Sequence, residues 1–129
     1  MTPAQRLTNE IRNAVSRVGA RLFVMVTGRF WSGQVAGRTP EGHLILRNAR
    51  QVSVGYKGMP DLIGWMSHVV TEADVGKTIA VFCAPEIKAG KDRLREGQPE
   101  FIAAVNKAGG RAGVARSVSD ALEIVRPQG

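Results

Sequence analysis

The chain has 129 residues, 43% of them apolar and 22% charged, the make-up of one soluble globular domain large enough to bury a core. No run approaches the roughly 20 apolar residues that cross a bilayer, and the opening MTPAQRLTNEIR lacks the apolar stretch of a signal peptide, so a cytoplasmic protein with no membrane partner is expected. Eighteen Lys and Arg against eleven Asp and Glu leave a net charge of +7, which favours a polyanionic partner, most often nucleic acid, over the alternative of an inert basic surface.

The first predicted element is a helix. Thr2 stands as its N-cap, Pro3 takes its first position, and Gln5 closes a capping box. Leu7, Ile11, Ala14, Val15 and Val18 recur at helical spacing, and Gly19 ends the run. From Leu22 to about Tyr56 the pattern turns to β: LFVMVT, FWSGQVA and HLILR are separated by Gly28 and by GRTPEG. A further strand is predicted through PDLIGW, and KTIAVFCAPEIK is the longest strand candidate. A second helix is expected over about Glu96 to Ala108, with Phe101, Ile102 and Val105 inward and Gly109-Gly110 as its stop. AGVA reads as a short strand, and Ser117 caps a last helix whose Val118, Ala121, Leu122 and Val125 share a face. The order α, several β, α, β, α carries no repeat, low-complexity tract or linker. It predicts one α/β domain over residues 1–129, a mixed central sheet flanked by helices.

Two motifs fail on inspection. GKT at Gly76 to Thr78 lacks the glycine a phosphate-binding loop needs five residues earlier, where Thr71 stands. VTEADVGKT is better read as a loop or hairpin between strands. There is likewise no G-x-G-x-x-G and no serine nucleophile elbow. Cys83 alternates within an apolar run and reads as core. A single cysteine forms no internal disulfide, and with only His43 and His68 there is no zinc set.

The stretch FCAPEIKAGKDR carries the chemistry. Strand side chains alternate, so Glu86 and Lys88 point to one face with Ala84 and Phe82, and Ile87 points to the other. Asp61 follows Pro60 and precedes the apolar Leu62-Ile63, so it opens or occupies another strand. If the two strands are neighbours, two carboxylates converge and repel unless a cation is shared between them. Hard oxygen ligands without His or Cys point to Mg²⁺ or Mn²⁺, and Lys88 is then placed to position a water or stabilise charge on a phosphate. On spacing alone a solvated strand edge with a surface ion pair is the favoured reading, and Asp61 alone could be a turn residue.

KGMPDLIGW, followed by AVFCAPEIKAGKDRLREGQPEFIAAVNKAGGRAGVARSVSDAL, resembles the virus-type replication-repair nuclease (VRR-NUC) family. That family belongs to the PD-(D/E)XK superfamily, with a restriction-endonuclease-like fold. The resemblance runs from about Gly55 to Leu122, and its specific part is the combination of G-x-P-D-L-I-G, E-I-K, a glutamine ten residues after the lysine, A-G-G and G-V-A-R-S.

The resemblance implies roles residue by residue. Pro60-Asp61 matches the P-D, making Asp61 a metal ligand. Glu86-Ile87-Lys88 matches E-x-K, making Glu86 the second ligand, Lys88 the catalytic lysine and the Ile87 carbonyl a further donor. Gln98 matches the glutamine that orients the lysine, a water or a phosphate. The acid that the superfamily often adds from its first helix would be Glu10, at the edge of the Leu7/Ile11/Ala14 stripe; an Arg6–Glu10 surface pair is the alternative there. Pro85 breaks backbone pairing beside Glu86, so a bulge or an edge strand is expected. The implied reaction is Mg²⁺- or Mn²⁺-assisted phosphodiester hydrolysis. Lys57, Lys91, Arg93 and Arg95 would grip the DNA backbone without reading bases. Small stand-alone members resemble phage or prophage proteins in a bacterial cytoplasm, homodimers acting on branched DNA such as four-way (Holliday) junctions, and the strand region with Phe30, Trp31 and Ile45 is the expected dimer surface. The rivals are a non-cleaving basic nucleic-acid-binding module on the same fold and a sequence-specific restriction enzyme, for whose recognition insert 129 residues leave little room.

Overall fold

Three helices and six strands follow one another in the computed structural model, which describes residues 1–126. In chain order they are α1 (Pro3–Ser16), β1 (Ala20–Val24), β2 (Gly28–Arg38), β3 (Leu44–Val54), β4 (Leu62–Met66), β5 (Cys83–Ile87), α2 (Gln98–Lys107), β6 (Arg111–Ala115) and α3 (Val118–Val125). None of these helices is long and apolar enough to cross a membrane. The chain divides into two compact units, one made of Met1–Arg21 and the chain from Gly64 on, the other of Leu22–Ile63.

In the first unit the expected cap of α1 is present in full. Thr2 Oγ1 accepts from the Gln5 N–H at 3.1 Å, and Gln5 Oε1 accepts from the Thr2 N–H at 2.8 Å. Strands β5 and β6 pair in parallel, Glu86 opposite Val114 and Ile87 opposite Ala115. A parallel pair needs a crossover connection; α2 supplies it, and both α2 and α3 pack on the pair. Pro99 sits in the first turn of α2, where its missing N–H is no loss. The helix stops at the predicted glycines in a Schellman motif, with Gly109 N–H donating to Asn106 O at 3.2 Å and Gly110 N–H to Val105 O at 2.9 Å. Ser117 caps α3 through a 3.1 Å bond from the Asp120 N–H. Val105 and Ala115 are buried, and the Trp65 ring meets Phe82 at 4.9 Å and Phe101 at 6.1 Å, with the Arg21 guanidinium over it at 5.7 Å.

VTEADVGKT is a loop with one 3₁₀ turn, Glu72–Asp74. The Asp74 carboxylate accepts from the Thr71 N–H at 3.0 Å, touches His68 Nε2 at 2.8 Å and pairs with Lys77 at 3.5 Å. These contacts, the Thr71 N–H first, hold its carboxyl below the ordinary carboxylate value. The segment is thus a loop, one of the two readings the sequence offered, and Lys77 pairs within it.

The second unit is built on a hairpin. β2 and β3 run antiparallel from Gly28 opposite Val54 to Arg38 opposite Leu44, with irregularities between Ser32 and Gln34 and between Val35 and Gly37. At the first of these a side chain on Gly33 would stand 2.9 Å from the Arg47 carbonyl, so only glycine fits. β1 and β4 pair with each other, and the unit boundary runs through both strands.

The α/β class is as expected, but among the described residues the sheet consists of three two-stranded pieces, β1–β4, β2–β3 and β5–β6, rather than one continuous sheet. Pro85 gives a physical reason at β5. It removes a backbone donor in mid-strand, and β5 pairs along one edge only. The long strand read over KTIAVFCAPEIK shrinks to Cys83–Ile87 because its partner begins only at Arg111, whose N–H bonds Phe82 O at 2.8 Å. Cys83 is a correction: it is exposed, not core, and its thiol donates to Val81 O at 3.4 Å.

Candidate active site

Alternation along β5 separates the two faces as predicted. Ile87 is 69% exposed, whereas Lys88, the next residue, is 7% exposed. Lys88 Nζ lies 3.3 Å from Glu86 Oε1. A lysine ammonium is almost never buried without a countercharge, and Glu86 is that countercharge. The backbone of Lys88 is fixed as well, its N–H donating to Ala115 O at 3.1 Å beyond the end of the β5–β6 ladder.

Gln98, the first residue of α2, completes the arrangement. Its Nε2 donates to the same Glu86 Oε1 at 2.8 Å, and its Oε1 accepts from the Arg95 N–H at 2.6 Å. The amide is therefore oriented by both of its ends. Both contacts to Glu86 fall on Oε1, and among the described residues Oε2 takes no hydrogen bond. A depression of about 260 Å³, lined by Ala84, Pro85, Glu86, Gln98 and Phe101 among others, opens beside it.

The remaining predicted residues stand as follows. Lys91, Arg93 and Arg95 are exposed in the loop between β5 and α2. Glu10 is exposed on α1, and among the described residues it makes no ion pair, with Arg6 or any other cation. Asp61 belongs to the second unit; it is exposed directly before β4, and its main-chain carbonyl accepts from the Met25 N–H at 2.8 Å. Lys57 is exposed in a turn of that unit. The first unit thus brings Glu86, Lys88 and Gln98 into direct contact. Arg116 has no role assigned from the sequence, yet its guanidinium bonds the main chain of the loop after Lys88; an arginine directly after the last strand was the available signal.

The donors at this strand end, the Glu86 carboxylate and the Ile87 carbonyl, are hard oxygens of the kind Mg²⁺ and Mn²⁺ take. The open Oε2 edge fits one corner of such a shell. Among the described residues no three His, Cys, Asp or Glu side chains are grouped to hold a metal ion.

Neither a search of curated proteins nor one of solved structures finds a match. The family model of the VRR-NUC domain matches residues 5–119, from α1 through β6 and into α3. That is a longer stretch than the resemblance read from Gly55 onward, and it contains Glu10, Asp61, Glu86, Lys88 and Gln98 alike. The match covers most of the 129 residues, and the chain belongs to the VRR-NUC family, a nuclease-type domain that processes DNA.

Proposed function

We propose that the protein is a Mg²⁺- or Mn²⁺-dependent endodeoxyribonuclease that hydrolyses phosphodiester bonds in branched DNA, four-way junctions included, as a cytoplasmic homodimer. The observation that carries this reading is a nearly buried Lys88 ammonium, 3.3 Å from a carboxylate whose second oxygen is left open.

Glu86 through Oε2, the Ile87 carbonyl, Asp61 and Glu10 would hold the cation. When bound, it supplies Lewis-acid charge and lowers the pKa of a water. Gln98 and Lys88 commit Glu86 Oε1 and so fix which edge of the carboxylate faces outward. Lys88 positions the attacking water and offsets the charge that builds on the phosphate. Lys57, Lys91, Arg93 and Arg95 hold the DNA backbone, contacts that carry no base information. Two equivalent sites related by twofold symmetry suit the paired strands of a junction. Exposed apolar side chains on the β2–β3 hairpin, Phe30, Trp31 and Ile45 among them, support the second copy as partner.

The test is a cleavage panel of linear, flap and four-way DNA with each metal. The parent nicks the branched substrates, Lys88→Ala binds them without cutting, and Asp61→Asn loses the metal's heat in a calorimetric titration. Undiminished cutting by Lys88→Ala would remove Lys88 from the proposed chemistry, and no cutting by the parent on any substrate with either metal would leave the non-cleaving binding module as the better account of the +7 charge.

A further inference from the structure

The loop that follows Lys88 is tied down from a distant part of the chain. Arg116 stands one residue past β6, and its two terminal nitrogens fork onto main-chain carbonyls of that loop: Nη1 donates to Gly90 O at 2.9 Å and Nη2 to Asp92 O at 2.7 Å. Between those carbonyls sits Lys91, and directly after them Arg93, both exposed. The turn is closed internally by Asp92 N–H to Ala89 O at 3.0 Å.

Arg116 is itself held. Its N–H donates to Asp120 Oδ2 at 2.9 Å, and Asp120 N–H donates to Ser117 Oγ at 3.1 Å, so the first turn of α3 fixes the arginine's backbone. A guanidinium presents several N–H donors in a rigid planar fork, whereas an ammonium is a single rotating point. Bridging two carbonyls of one turn is therefore a task for arginine. Both carbonyls belong to a segment without helix or strand bonds of its own, and a loop so exposed is mobile by default.

We infer that Arg116 is a positioning residue for DNA binding: its fork on Gly90 O and Asp92 O sets the loop so that Lys91 and Arg93 meet the phosphate backbone in register. The inference rests on the reading that this loop grips DNA. It adds that the grip is organised by a residue which need not touch DNA, through its geometry rather than its charge.

The experiment measures binding of the full chain to a four-way junction in EDTA across a series of NaCl concentrations, so that it does not depend on cleavage. Arg116→Lys retains the charge and loses the fork. Its affinity at low salt is expected to fall about tenfold, and its plot of log K against log salt to become shallower by about 1 to 2, the loss of one or two phosphate contacts. Lys91→Ala combined with Arg93→Ala gives a similar loss, and adding Arg116→Lys to that pair costs little more. In cleavage assays KM rises while kcat stays within about twofold. A purely structural contact would lower the melting temperature and leave the salt slope as it was. An unchanged slope in Arg116→Lys, or effects that add in full to those of the loop lysine and arginine, would overturn the inference. Because binding is read separately from cutting, a protein that binds as expected and never cleaves would count against the nuclease proposal alone. Where Arg116→Ala does not fold, the lysine variant carries the comparison.

Discussion

Lys88 and Glu86 are unequal partners, and the inequality is testable. Lys88 is 8% exposed at its side chain and Glu86 32%. Replacing a buried charge by an apolar side chain of similar volume is often neutral or stabilising, whereas removing its countercharge strands it. Lys88→Met is therefore expected to melt at the parent's temperature or above. Glu86→Gln should lose about 2 kcal/mol, less than a fully buried broken pair because the carboxylate is partly wet. Both should reduce cleavage by about 100-fold or more. Thermal melting beside single-turnover cleavage separates the two effects, and a Lys88→Met that unfolds like Glu86→Gln would contradict the assignment of roles. At this scale the shared face of Glu86 and Lys88 was legible from strand alternation, but the burial of Lys88 was not, since the same spacing fits a solvated edge. Gln98 was legible only through the family's motif, since nothing in a linear sequence shows that an amide ten residues on returns to Glu86. Cys83 was misread because an apolar strand residue reads as core whether or not anything covers its face.

Helix and strand ends obey local rules more faithfully than strand lengths do. The caps at Thr2 and Ser117 and the stop at Gly109-Gly110 were all visible, because each depends on a side chain or a φ within a few residues. The extent of β5 was not visible, because a ladder ends where its partner ends, and β6 starts only at Arg111. Its position and the site it carries rest on a close approach. A side chain on Gly110 would lie 2.8 Å from the Phe82 carbonyl and 2.7 Å from Val105 Cγ1, while one on Gly109 would meet open space and only a φ of 98°. Gly109→Ala should thus cost about 1 kcal/mol. Gly110→Ala should cost about 2 to 3 kcal/mol, by pushing α2 and the start of β5 apart. Chemical denaturation orders them parent, Gly109→Ala, Gly110→Ala, and the reverse order would show that the turn's backbone strain outweighs the packing of α2 on β5.

For the molecule as a whole, a polyanionic partner was legible in the +7 charge, and DNA became specific only with the family. A second copy as partner is not legible in the sequence, since an apolar strand residue has the same pattern whether its own chain covers it or another does. On the β2–β3 hairpin Trp31 is 65% exposed, Val35 68%, Leu44 48% and Ile45 46%. A two-stranded ribbon by itself is marginally stable in water, and Leu44 and Ile45, consecutive on one strand, leave apolar side chains exposed on both of its faces. If this ribbon is the dimer surface, light scattering should give twice the 13.9 kDa chain mass at micromolar concentration, and Trp31→Glu should return the protein to a monomer. The consequence for catalysis is sharper than a loss of rate. Each copy would keep its own Glu86, Lys88 and Gln98, so single-strand nicking should survive, but the two cuts on a junction would no longer be made within one bound complex. On a supercoiled plasmid that extrudes a cruciform, the parent should yield linear product by paired incision and Trp31→Glu mainly nicked circles. A parent that sediments as a monomer, or a Trp31→Glu dimer that still makes paired cuts, would show that the hairpin's apolar side chains serve some other contact.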